Sequence, residues 1–175
     1  MRPSQLGAGL RLATVLLVAA GTWIAGPPAS ATVAGPVPVA YRCQGLGMDL
    51  MVAAQVTVET PATVQRGTRV TAQMSLAMAA NAPFGVPARA VSGTADLTLA
   101  GAWGGTIPVS GLTNPDSISA GEPVRLSGGT ATVALQTPGT ATFTPGDLHF
   151  TALGITASCT VSGSAPVAAT TIVTP

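Results

Sequence analysis

The side chains that could do chemistry are few. His149 is the sole histidine, and Asp147 stands two residues before it. On a strand such residues share a face, so the two could pair as a base and its orienting acid. A nucleophilic triad also needs a serine aimed at that base, and no G-x-S-x-G elbow supplies one. His149 lies between Leu148 and Phe150 in an alternating stretch and reads as a solvated strand histidine. Glycoside hydrolysis needs two carboxylates flanking one bond. The candidates are Asp49, Glu59, Asp96, Asp116, Glu122 and Asp147, and most fall on polar strand faces or in turns. Asp116 and Glu122 flank a loop that lacks the D-x-D-x-D-G run of a calcium site. One histidine and two cysteines without C-x-x-C spacing do not complete a zinc site. The reading therefore assigns no catalytic residue, no metal and no cofactor, and predicts that the chain is not an enzyme.

Two aromatics are candidates for binding. Trp103 sits in the turn Gly101-Ala102-Trp103-Gly104-Gly105. There it either stands out as a stacking platform for a sugar or partner, or folds back to plug one end of the domain. Scarcity favours the plug, because Tyr41, Phe84, Trp103, Phe143 and Phe150 are the only aromatics beyond the first 31 residues. Phe84, in Ala82-Pro83-Phe84-Gly85-Val86-Pro87, has the same two options, with core contact favoured.

Composition limits the partners. Charged residues make up 7% of the chain, and all seven cations are arginine. A nucleic-acid surface needs clustered basic charge, and an anionic membrane surface needs a polybasic stretch. Neither is present. The partner predicted is an extracellular protein or a cell-surface glycan, with no nucleic acid and no integral membrane insertion. A pore-forming barrel would carry two aromatic girdles, and five scattered aromatics do not form them.

The elements that must position these residues follow from the pattern. Arg2 and Arg11 precede an apolar run from Leu12 to Ala25, Gly26-Pro27-Pro28 breaks it, and Ala29-Ser30-Ala31 supplies small residues. Positive start, apolar middle and A-x-A end make a secretory signal, here expected as a helix cleaved after Ala31. Export places Cys43 and Cys159 in an oxidising compartment, where an even count implies a disulfide. Period-2 alternation then marks strands. Val37, Val39, Tyr41 and Cys43 share a face, as do Leu50 to Val58, Val70 to Met78, and Val91 to Leu99 at every second position. Ile107 and Val109 suggest a short strand. Gly128-Gly129 and Pro145-Gly146 read as turns, the second closing a hairpin between Phe143 and Leu148. The organisation predicted is a signal peptide over 1–31, a short segment over 32–36, a β-sandwich over 37–162 and a flexible tail over 163–175.

Several stretches resemble a family of secreted actinobacterial immunoglobulin-like domains of unknown function. They are Tyr41-Arg42-Cys43, Pro61-Ala62-Thr63-Val64-Gln65-Arg66-Gly67, Ser92-Gly93-Thr94-Ala95, Phe143-Thr144-Pro145-Gly146-Asp147-Leu148 and Cys159-Thr160. The resemblance implies a Cys43–Cys159 bridge and extracellular placement, and no activity. The fold class predicted is all-β, an immunoglobulin-like antiparallel β-sandwich of about seven to nine strands. The function predicted is a secreted, non-catalytic structural or interaction module, with a carbohydrate-binding or inhibitory module centred on Trp103 as the alternative. Mass spectrometry of the exported protein checks the address: it should begin at Thr32, and an intact Met1 contradicts the signal.

Overall fold

The computed structural model describes residues 31–33, 35–45 and 48–175. Of the signal predicted over 1–31, residues 1–30 lie outside the described residues, as do Leu46 and Gly47. The strands are β1 (Ala31–Val33), β2 (Val37–Gly45), β3 (Met48–Pro61), β4 (Thr63–Gln65), β5 (Arg69–Asn81), β6 (Val91–Gly101), β7 (Gly105–Thr113), β8 (Pro123–Ala134), β9 (Gly139–Ala152), β10 (Ile155–Val161) and β11 (Ala169–Thr174). The fold is all-β, with eleven strands and no helix among the described residues.

The pairings close on themselves. β2, β3, β5, β8, β7, β6, β9 and β10 each pair antiparallel with the next, and β10 returns to β2. The sheet is mixed, because β11 pairs antiparallel with β9 and parallel with β4. This closed order differs from the two separate sheets of the predicted sandwich. A sandwich-like division survives in the strength of the ladders. Long ladders join β2-β3-β5-β8 and β7-β6-β9. The β7–β8 seam has only Ser110↔Thr130 and Thr113↔Ser127 in register.

Inward positions follow the period-2 reading. Tyr41, Val56, Val58, Leu97, Leu99 and Phe143 are fully buried, each flanked by more exposed neighbours. Outward positions carry Thr, Ser, Gln and Arg, which is the reverse of a membrane barrel's apolar outer band. Tyr41 Oη donates to the Gly146 carbonyl at 3.2 Å. Burial, and secondarily the charge of Asp147, pushes the Tyr41 phenol far above its ordinary value.

Three readings are corrected. Gly128-Gly129 does not turn the chain, since β8 runs through it. The inward set changes from even (Leu126) to odd (Ala131, Val133), which is what one extra residue does to a period of 2. Gly128 takes φ +79°, as a bulge of this kind requires. Pro145-Gly146 is likewise inside β9, where the register slips opposite Ala95 and Leu97. The same parity change carries β7 past Gly111 to bury Leu112 and extends it beyond the short strand expected.

A fourth correction is the tail. Residues 163–175 are not a free segment, because Ala169–Thr174 form β11. Ala169, Thr171 and Val173 are buried. Thr171 Oγ1 donates to the Pro61 carbonyl at 2.9 Å and lies 3.1 Å from Thr60 Oγ1. An inward threonine hid this strand from a reading that looked for apolar positions only.

Cys43 and Cys159 are directly opposite across β2 and β10 and are joined by a disulfide with a sequence separation of 116. Cys159→Ser should lower stability by about 2–5 kcal/mol in a chemical-denaturation experiment. An unchanged midpoint with unchanged slope contradicts a structural role for the bridge.

Candidate functional site

The registers define two ends. At one end lie the Gly45 end of β2 and the Met48 start of β3, the loop Ala82–Ala90, the loop Asn114–Glu122 and the β9–β10 turn. This follows from the pairs Gly45↔Ala157, Val91↔Ala152, Ser92↔Thr113 and Asn81↔Pro123. We call it the mouth. At the other end lie the β6–β7 turn with Trp103, the β4–β5 connection and β11. Phe84 and Trp103, the two binding candidates, are therefore at opposite ends and share no site.

Trp103 is half-buried and packs against the core. Its ring lies over Gly105, where a Cβ would come within 3.0 Å of the indole. Gly101 holds φ +87°, and a Cβ there would collide with the Thr140 carbonyl. The glycines of this turn thus let the indole fold back. Trp103 acts partly as the plug and keeps part of its surface in water.

The mouth is built from two loops that hold one another. Backbone bonds run from Ala82 N to Glu122 O, between Val86 and Ile118 in both directions, and from Arg89 N to Asn114 O, all at 2.8–2.9 Å. Asn114 is wholly buried and has every polar atom engaged. Its Oδ1 accepts from Val91 N at 2.8 Å, and its Nδ2 donates to the carbonyls of Pro87 (2.7 Å) and Asp116 (2.9 Å). The sequence reading, which placed Phe84 in a Pro-rich segment and Asp116 and Glu122 beside a loop, did not show that the two segments clasp each other. The Asn114-Pro115-Asp116 turn signal marks its place but not its partners.

Phe84 stands on the first loop, 38% exposed. Its inner side faces a small apolar space of about 80 Å³ that it shares with Val86, Ile118 and Phe150. Beside it is a cavity of about 300 Å³ lined by Leu50, Val52, Met78, Ala80, Val124 and Phe150. The two share Met78, Pro83, Val124 and Phe150 as walls. The polar groups on the larger cavity are Gln44 and Asn81, and no charged residue lines it.

The β9–β10 turn adds a feature the sequence reading missed. Ala152 pairs with Ile155, so Leu153-Gly154 is a two-residue hairpin turn. Leu153 takes φ +51° and Gly154 φ +81°. Such turns favour Asn-Gly, because a residue other than Gly, Asn or Asp pays about 1–2 kcal/mol to sit in the left-handed region. Leu153 is 54% exposed, and Ile155 beside it is exposed as well. An apolar side chain held out into water on a strained backbone stabilises nothing in the free protein.

The chemistry-bearing residues are placed elsewhere and apart. Asp147 Oδ1 accepts from Val161 N at 2.9 Å, while His149 Nδ1 faces Ser158 Oγ at 3.1 Å. Each is engaged with a different partner, so the acid–base pair does not form. His149 borders an open outer groove of about 460 Å³ with Arg89, Thr94, Thr113 and Thr151. Asp49 is held by Arg42 through two contacts of 2.9 and 2.6 Å and by Gln44 at 3.2 Å. The hydrogen bonds from Arg42, then Gln44, bring its carboxyl down to about 2. Glu122 Oε2 accepts from Ser119 N within the second mouth loop. Among the described residues no three of His, Cys, Asp and Glu gather as a metal site.

Compared against protein-family models, curated proteins and solved structures, the chain matches none. The structure establishes the class: a disulfide-stabilised all-β domain of mixed topology.

The Asn114 clasp is directly testable. Asn114→Ala leaves Val91 N–H and two carbonyls without partners and should cost about 2–4 kcal/mol. Amide exchange at Val86, Arg89 and Val91 should accelerate more than exchange in β3. A uniform change across the domain, or none, contradicts a local clasp.

Proposed function

We propose that this is a secreted, non-catalytic interaction module that binds through the mouth. The observation that carries the reading is the exposed, strained Leu153, which lies at the same end of the domain as the exposed Ile155 and Phe84 and an apolar cavity. Strain of this kind is kept where a site uses it, and apolar groups gathered at one end mark a binding surface. The separation of Asp147 from His149 supports the non-catalytic part. The resemblance to secreted immunoglobulin-like domains supports extracellular placement, and it rests on the motifs around Cys43 and Cys159. Among the described residues no helix is long and apolar enough to cross a membrane.

A second reading, glycan binding at Trp103, draws support from the part of the indole left exposed. The mouth is preferred because several apolar groups converge there, whereas Trp103 spends much of its surface on Gly105 and the core.

Leu153→Asn separates stability from function. It should raise stability by about 1 kcal/mol, since Asn tolerates the left-handed turn. It should also weaken retention of the purified protein on the surface of the cells that make it, and Phe84→Ser should do the same. If Leu153→Asn and Phe84→Ser bind those cells like the unaltered protein while Trp103→Ala does not, the site is at the other end.

A further inference from the structure

The mouth cavity has a chemistry of its own. Its walls come from five strands, β2, β3, β5, β8 and β9, with Ala157 of β10 closing one side. Two small wall residues, Ala80 and Ala157, stand where larger side chains would fill the space. Water gains little there, because a water needs two to four polar partners and the walls offer only Gln44 and Asn81. An apolar cavity of about 150 Å³ takes a benzene ring. This one is twice that and shares four wall residues with the space of about 80 Å³ behind Phe84. An apolar space of this size, with a second one across the wall of Met78, Pro83, Val124 and Phe150, suits a flexible chain better than a compact ring.

We propose that the mouth binds a neutral amphiphile by a single alkyl or acyl chain, roughly eight to ten carbons of which enter the cavity. The inference rests on the mouth being the binding end and adds the class of ligand. The chain takes the place of missing wall contacts, which is where an underfilled apolar space gains most. The head group stays at the rim, where Gln44 and Asn81 can each donate and accept. It is uncharged, because a carboxylate brought against these walls would be desolvated without a cation to meet it. Phe84, Leu153 and Ile155, exposed at the same end of the domain, offer apolar surface to the first carbons of the chain as it leaves for water.

The test uses 1-octanol as the neutral probe and octanoate as the anionic one, each titrated into the purified protein by calorimetry. Octanol should bind at one site with a Kd on the order of 100 µM, and octanoate at least about tenfold more weakly. Ala80→Phe, which puts a ring into the cavity, should weaken octanol at least about tenfold. A second readout does not depend on that variant folding. Methyl NMR of the unaltered protein should show octanol shifting Met78, Leu50 and Val124, while Val109 and Val173 stay still. No saturable binding, equal binding of both probes, or shifts spread away from the mouth each overturn the inference. If octanol does not bind but Leu153→Asn still abolishes cell retention, the mouth remains the binding end and only the ligand class is lost. If both fail, the mouth is not the site.

Discussion

The structure depends on how the outer edge of β9 is covered. A strand of fourteen residues with an unpaired edge would be a template for aggregation. Here β6 takes one edge along nearly its whole length, and two strands share the other. β10 pairs with Leu148–Ala152, and β11 pairs with Gly139–Phe143. The interval between them holds Pro145, which has no N–H to pair, and the Gly146 bulge. Asp147 closes the interval by accepting the Val161 amide. β10 then carries the pairing on to β2, and the disulfide fastens that junction at Cys43 and Cys159. β11 carries it to β4, with Thr171 bonded to the end of β3. The last two strands, β10 and β11, are thus closures, one towards each end of the domain.

Closure with so few aromatics leaves unequal ends. Tyr41 and Phe143 are spent in the middle, fully buried. Trp103 and its glycine turn fill the end away from the mouth. The mouth keeps Phe150 as a wall and Phe84 as part of its roof, with alanines between. The result is a closed frame with an apolar cavity at the end where the two clasped loops stand. Apolar pockets with a few polar groups at the edge are where ligands are usually held, and this cavity has Gln44 and Asn81 as its polar groups.

Much of the frame was legible in the residues. The inward faces of β2, β3, β5 and β6 follow from alternation, since a half-buried strand must repeat every second residue. The bulges were misread because glycine pairs mark turns and bulges alike. The change from Leu126 to Val133, even to odd, does not distinguish them, since a two-residue hairpin makes the same switch, as Leu148 and Cys159 do across Leu153-Gly154. β11 was missed because Thr171 is buried yet polar, and its burial depends on Pro61, over a hundred residues away. Ring closure through β10 is a non-local pairing that no local pattern states. For the site, the sequence singled out Phe84 and Trp103 but not their separation. Leu153-Gly154 between two alternating runs had the form of a hairpin turn, and only the backbone shows the leucine to be strained.

The central claim is that the mouth holds a preformed apolar cavity. Diffraction from crystals equilibrated with xenon tests it most directly, because xenon enters dry apolar cavities and little else. A xenon peak among Leu50, Met78, Val124 and Phe150, with the walls unmoved, is the result expected. Density there occupied by collapsed side chains, with xenon absent or seated only near Trp103, would contradict it.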